Sequence, residues 1–338
     1  MLVAILAVVT IMTTNHSGHN QRVFWTNFDQ FSVPENSSRD HIITFHDIAS
    51  CNKSFRILSE DLLVMLHIQK TGGTTFEKHL VNDLNIDFPC SCNEDKRRCS
   101  CPRSPRPSDG DLLANSTWLF SRFSTGWACG LHADWTMLNR CLSNHRNLFF
   151  VTFLRHPIER FISEFRHVQR GATWKAAKNH CKSHDTHYCY SNRPNWSNVS
   201  LEEFLDCPYN TAFNRQTHML ADYNQIQCDK PGYSHITFWD DVILSTAMKN
   251  LESTAFFGLC EQQRISQSLF EKTFRLRFKS NFEQSLDNKT RNLVQDLPVH
   301  IRKRIESSNR LDMKLYDFAK ELFGRRYKML TSGQVPLL

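Results

Sequence analysis

The chain reads as an α/β protein with a central parallel sheet and helices on both faces, and two observations support this. First, three stretches are continuously apolar: Leu62-Leu63-Val64-Met65-Leu66, Leu148-Phe-Phe-Val-Thr-Phe-Leu154 and Ala255-Phe-Phe-Gly-Leu259. Runs of this length and character belong to strands buried on both faces. Second, each run leads into apolar residues at helical spacing. These are Phe76, Leu80, Val81 and Leu84, then Ile158, Phe161, Ile162, Phe165 and Val168, then Ile265, Leu269, Phe270 and Phe274. Strand followed by helix, repeated, is the pattern of a parallel sheet covered on both sides.

Composition narrows the partners. At 338 residues the chain can bury a large core, as one big domain or two small ones. Its formal charge is +7, with 16 histidines able to add to it in a mildly acidic compartment. A basic balance suits a polyanion such as nucleic acid, an acidic membrane or a sulfated glycan. Twelve cysteines stand beside N-x-[ST] sequons at Asn15, Asn36, Asn52, Asn115, Asn195, Asn198 and Asn288. Together they point to the secretory pathway, with N-linked glycans, and so away from nucleic acid.

Met1 to Met12 is apolar throughout, with no basic flank and no clear cleavage site. It is short for a membrane span, so a cleaved signal peptide, a signal anchor and a truncated reading of a longer chain all fit. Residues 13–57 are polar and aperiodic and read as a stem. Residues 58–330 form the catalytic domain and 331–338 a tail.

The first strand runs into His67-Ile68-Gln69-Lys70-Thr71-Gly72-Gly73-Thr74-Thr75 and then a helix. Such a loop can aim backbone N–H groups and a helix N-terminus at an anion. Lys70 adds a mobile positive charge, the glycines allow close approach, and the threonines offer hydroxyls. The lysine precedes the glycines, unlike the G-x-x-x-x-G-K-[ST] loop of nucleotide triphosphatases. An ordinary strand-to-helix turn would look similar from spacing alone.

Two C-x-C pairs follow, Cys90/Cys92 and Cys99/Cys101, around the basic Lys96-Arg97-Arg98. Disulfides are the expected state in an oxidising lumen, and a zinc knot is the alternative. Connectivity is open. Arg122, Trp127 and His132 lie in a segment rich in aromatics and glycine, suited to stacking on sugar rings and gripping acidic groups. After the second strand come Arg155-His-Pro157 and a helix on which Ser163, His167 and Arg170 share a face. That face would otherwise be a plain solvent stripe. Residues 175–198, with Cys181, Cys189 and two sequons, read as an exposed excursion. The segments Cys207–Gln216 and Met219–Asp222 read as structural helices. The last helix, capped near Ser308 or Asn309, buries Leu311, Leu315, Phe318 and Leu322 and is expected to stop at Gly324.

From about Asp61 to Tyr327 these motifs, in this order, resemble the heparan sulfate 6-O-sulfotransferase family. The resemblance implies the P-loop-like sulfotransferase fold and 3′-phosphoadenosine 5′-phosphosulfate (PAPS) as sulfuryl donor. It also implies heparan sulfate as acceptor, a type II Golgi membrane protein and no metal. The loop from His67 to Thr75 matches the 5′-phosphosulfate loop, with Lys70 also catalytic. Arg155 and Ser163 match the 3′-phosphate site, although His156 stands where the family has Asp. Glu283, Gln284, Ser285, Thr290 and Arg291 match a loop closing over the nucleotide, across a length difference of about two residues. Arg97, Arg98, Arg122, Trp127, His167 and Trp174 match acceptor contacts, and His132 matches the general base. A P-loop kinase would need a different loop order and a strand-terminal Asp for magnesium. A non-catalytic heparin-binding scaffold would have no use for Lys70, Arg155, Ser163 and His132 together.

Overall fold

The computed structural model describes residues 41–93, 98–104, 117–172, 195–208, 210–224, 239–283 and 293–332, all within one compact unit spanning 39–338. Its centre is a four-stranded parallel sheet. β1 (Leu62–Leu66) lies between β4 (Leu119–Phe120) and β5 (Leu148–Leu154), and β6 (Phe256–Leu259) lies outside β5. Leu62 pairs with Leu148 and Leu66 with Thr152, while Val151 pairs with Phe256 and Leu154 with Leu259. This register brings the carboxyl ends of β1, β5 and β6 to one edge, where open α/β sheets place their ligands. β1, β5 and β6 are buried at every position, as continuous apolar runs require. β4 has only two residues, too few for a periodicity to show. Between β1 and β4 the chain adds a small antiparallel hairpin, β2 (Ser91–Asn93) and β3 (Arg98–Ser100).

Helices flank the sheet: α1 (Phe45–Ala49), α2 (Gly73–Asn82), α3 (Trp135–Cys141), α4 (Pro157–Gln169), α5 (Leu201–Asp206), α6 (Arg215–Leu220), α7 (Trp239–Ser253), α8 (Gln263–Phe274), α9 (Val299–Ser308) and α10 (Arg310–Thr331). Phe76 of α2 knits sheet to helices, with ring centroids 4.7 Å from Phe153 and 5.3 Å from Phe270. Truncating an aromatic so placed costs about 3–5 kcal/mol. A second apolar cluster lies under α4, where Phe161 meets Phe204 and Phe213, and Trp196 meets Phe204.

Three expectations shift. Residues 41–57, assigned to the stem, pack on the sheet: Ile43 donates to the Leu148 carbonyl and Phe55 stacks edge-on against Phe149 and Phe274. Ile265 is exposed, and Ser266 and Gln267 take the buried positions at that turn of α8. Gly324 does not end the last helix, which runs on to Thr331. A helical glycine costs about 1 kcal/mol, outweighed here by Phe323 and Arg326 buried beside it. Among the described residues no helix is long and apolar enough to cross a membrane. Residues 1–12 lie outside them, as does 173–194, most of the expected excursion.

Candidate active site

At the carboxyl edge of the sheet one cavity of about 1150 Å³ is lined by residues from both halves of the chain. The loop after β1 forms one wall. Lys70 takes the left-handed conformation (φ 66°), a strain of about 1–3 kcal/mol in a side-chain-bearing residue. Gly72 is also left-handed (φ 91°), and a Cβ there would lie 3.2 Å from Cys260 Sγ, while one on Gly73 would lie 3.0 Å from Met65 Cε. The left-handed backbone favours glycine at position 72, and the first turn of α2 has no side-chain cap. Gln69, Lys70, Gly72, Gly73, Thr74 and Thr75 line the cavity with His67. Ile68 and Thr71 do not. Ile68 is in the core, and Thr71 is buried with its hydroxyl donating to the Ile68 carbonyl at 3.0 Å, pinning the loop from inside.

Arg155, at the end of β5, and Ser163 and His167 on α4 line the same space. Arg155 is held by Glu159 one turn on, at 3.0 Å. Its backbone N–H and carbonyl are clasped by the Gln216 amide, both at 2.9 Å. Burial lowers the Lys70 pKa, and the charges of Arg170 and Arg155 lower it further, against an upward pull from Glu164. Cations that repel one another across a cavity are a site for an anion. His167 is likewise lowered by burial, then by Lys70 and Arg170, so it faces the lysine.

The segment after β4 lines the cavity next to this loop. The Arg122 guanidinium donates to Thr74 Oγ1 at 3.1 Å and lies over the rings of Phe123 and Trp127. Trp127 and His132 have ring centroids 4.6 Å apart. His132 is left-handed (φ 51°), and its Nδ1 is buried without a hydrogen-bond partner, a lone pair with nothing bound to it. Burial, chiefly, with the charges of His67 and Arg215, drives its pKa down to about 3.

Some cavity residues had read as merely structural. Asn210, Thr211, Asn214, Arg215 and His218 line it, with Trp239, Asp240 and Arg310 further along. Arg215 is positioned because α6 and α10 cap one another. Asp312 accepts from the backbone of Gln216 and Thr217, and Asn214 accepts from Leu311 and Asp312. Glu164 then receives Arg215 at 2.9 Å and also Arg160. Burial would push its carboxyl up, but the two arginines hold it below the ordinary range. A signal was available: a run as polar as Asn210-Thr-Ala-Phe-Asn-Arg-Gln-Thr-His218 is unusual for a buried helix.

Other residues stand apart. Arg98 lies on the hairpin against Gly126 and does not line the cavity, and Glu283 is exposed and also outside it. Arg97, Trp174, Gln284, Ser285, Thr290 and Arg291 fall outside the described residues. The hairpin cysteines form two nested disulfides, Cys90–Cys101 and Cys92–Cys99, which removes them as zinc ligands. A third, Cys129–Cys141, spans the His132 segment. Cys51 and Cys260 are free thiols. Among the described residues no group of His, Cys, Asp and Glu is placed to hold a metal ion.

Comparison with known proteins accounts for this cavity. The profile of the sulfotransferase family matches residues 53–319. Heparan-sulfate 6-O-sulfotransferase 2 of Gallus gallus is 45% identical over 293 residues, covering 82% of this chain and 70% of that protein. The chain belongs to the heparan sulfate 6-O-sulfotransferase family. Heparan-sulfate 6-O-sulfotransferase 3-B of Danio rerio is 44% identical, over 82% of this chain and 67% of its own length. For heparan-sulfate 6-O-sulfotransferase 3 of Homo sapiens the figures are 45%, 81% and 59%.

The residues fit the sulfuryl donor that the family implies. The loop after β1 has backbone amides and bears no side chain at Gly72 and Gly73, which allows close approach to a phosphosulfate. Lys70, Arg155 and Ser163 share the cavity with it and could hold a nucleotide bearing phosphate at both ends.

Proposed function

We propose that this chain is a PAPS-dependent sulfotransferase acting on the 6-hydroxyl of glucosamine in heparan sulfate. One observation carries the reading: His132 shares a single cavity with the Lys70 loop and the Arg155/Ser163 pair. PAPS, when bound, supplies the sulfuryl group and a phosphate leaving group. Lys70 and the amides at the start of α2 would neutralise charge where it develops on the transferring group. Arg155 and Ser163 would anchor the 3′-phosphate, and Arg122, Trp127 and His167 would hold the sugar. His132, its Nδ1 free, would take the proton of the attacking hydroxyl. Burial keeps this imidazole neutral, the form that can accept the proton.

The sequons, the disulfides and the relatives' activity support a lumenal enzyme of the Golgi, anchored through its apolar N-terminal residues. The test is disaccharide analysis of heparan sulfate after incubation with purified protein and labelled PAPS. Label confined to 6-O-sulfated glucosamine is expected. Label at the 2-position of uronic acid would replace this reading with another sulfotransferase, and no label would leave a glycan-binding scaffold.

A further inference from the structure

Behind His132 lies a pair of buried groups that the reading above leaves unused. Glu77 on α2 has no exposure to solvent, and His67, the residue after β1, has only 7%. Their side chains meet, His67 Nδ1 lying 2.7 Å from Glu77 Oε2. The other carboxylate oxygen, Oε1, accepts the backbone N–H of Arg122 at 3.2 Å. Thr74, one turn earlier on α2, accepts the Arg122 guanidinium. One helix therefore holds the end of β1 with one oxygen and the acceptor-side segment with the other.

The short contact between Nδ1 and the carboxylate fixes the ring of His67. The fixed ring is one wall of a three-ring cluster, 5.4 Å from His132 and 5.8 Å from Trp127. His132 needs such a wall. Its backbone is left-handed and its Nδ1 makes no hydrogen bond, so a hydrogen bond to the His67 backbone and the packing of the rings set its orientation.

We propose that Glu77 and His67 are positioning residues for the base: Glu77 locks the His67 ring, and that ring orients His132 and keeps water from it. His67 thereby leaves the set of phosphate ligands in which its place in the loop had put it. The proposal rests on His132 being the base. The charged groups acting on His132 come from three elements. His67 after β1 and Arg215 on α6 lower its pKa, and Glu164 on α4 raises it, as does a hydrogen bond to the His67 backbone.

Two variants test it, each compared with wild type and in a His132→Ala background. In Glu77→Gln the amide can accept through one atom only, so either one of His67 and Arg122 loses its partner or His67 turns to the tautomer whose Nδ1 accepts from the amide N–H₂. Turnover at saturating acceptor should fall about ten- to a hundredfold, with donor affinity held within about twofold, the pattern of a misaligned base. In His67→Asn the amide N–H₂ can still donate to Glu77, but the ring is gone. Turnover should fall on the same scale, and the acid limb of kcat/KM should move up towards neutrality as water reaches His132. A merely structural role would lower the melting temperature and move that limb only together with acid unfolding followed by circular dichroism, whereas loss of positioning moves it with the fold intact. Neither change should cost further turnover in His132→Ala if both act through the base. Should Glu77→Gln fail to fold, His67→Asn carries the test alone. If both variants keep wild-type turnover and acid limb while His132→Ala loses activity, the positioning role is wrong and the base stands. If His132→Ala itself keeps activity, the base is wrong and the positioning role falls with it. A selective loss of donor affinity in His67→Asn would return His67 to the phosphate site and overturn the proposal.

Discussion

Cys129 is disulfide-bonded to Cys141, and the loop they close carries His132. The bond joins the segment after β4 to the last residue of α3, so the left-handed backbone of His132 is held in a short covalent ring as well as by its neighbours. Asp134, which caps α3 through the Met137 N–H at 2.9 Å, sits inside the same ring. Rigidity here serves placement of a side chain that has no hydrogen bond of its own at Nδ1.

Opening that ring should therefore cost both stability and rate. A Cys129→Ala, Cys141→Ala double variant should lose about 3 kcal/mol, the loop-closure entropy of a ring of this size. Denaturant titration measures the first effect and turnover at saturating substrate the second. A destabilised variant with wild-type turnover would show that the ring does nothing for His132.

The donor site should divide into a charge that acts in the transition state and one that acts in binding. Lys70 belongs to the first, and Lys70→Ala should lose about a hundredfold or more in turnover. Arg155 belongs to the second. Its loss should weaken PAPS about tenfold or more, the scale of one charged hydrogen bond, with a smaller effect on turnover. Equilibrium binding of the donor product to folded variants reads the distinction. Unchanged donor affinity in Arg155→Ala would remove it from the phosphate site.

The pH profile should be broad on the acid side. A His132 pKa of about 3 means that kcat/KM should not fall through the ordinary histidine range near 6.5 on account of the base. Burial also lowers His145, His156 and His167. With folded pKa values below the unfolded ones, the unfolded chain binds more protons as pH drops below about 6.5. The stability these groups give is complete above that pH and is lost on acidification, for His132 down to about 3. Acid inactivation should thus follow unfolding seen by circular dichroism. On the alkaline side the lowered Lys70 pKa should bring activity down below pH 10.5. A rate that halves near pH 6.5 with the fold intact would contradict the burial of His132.

What the sequence made legible was what periodicity and contiguous motifs express. Three strands, the helices after them and the Lys70 loop each declare themselves within about a dozen residues. The two-residue strand β4 did not, having no room for a pattern. Arg215 was hidden because its role depends on α6 being capped by Asp312, which lies 95 residues from Thr217 in the chain. The partner of His67 was hidden for a related reason, since Glu77 lies on the adjoining helix and meets His67 only once that helix is folded back.

Acceptor binding should be electrostatic and separable from donor binding. Arg98 lies on the disulfide-tied hairpin beside Gly126, next to Trp127, and Arg97 precedes it in sequence. A double Arg97→Ala, Arg98→Ala change should raise the KM for heparan sulfate and flatten its salt dependence, since each basic group lost releases fewer counterions. Donor affinity should hold. A fall in donor affinity instead would place these arginines with the nucleotide or the fold.

His132 and His167 line the same cavity and are the two histidines most able to exchange roles. Their surroundings separate them. His167 lies on α4 one turn from Ser163, and after burial the main influence on it is the charge of Lys70. A base there would have to work beside the cation that stabilises the leaving group, and the proton it took would add a second positive charge. His132 packs against Trp127 and His67, with its Nδ1 unclaimed. His132→Ala should therefore cut turnover by about a hundred- to ten-thousandfold with both ligands still bound, the range for removing a general base. His167→Ala should raise KM for the acceptor and leave most of the turnover at saturation. Single-turnover assays with labelled donor, alongside binding of donor and oligosaccharide to each variant, give both quantities. Near-normal turnover in His132→Ala together with loss in His167→Ala would exchange the two assignments, putting the base on α4 and the sugar contact beside Trp127.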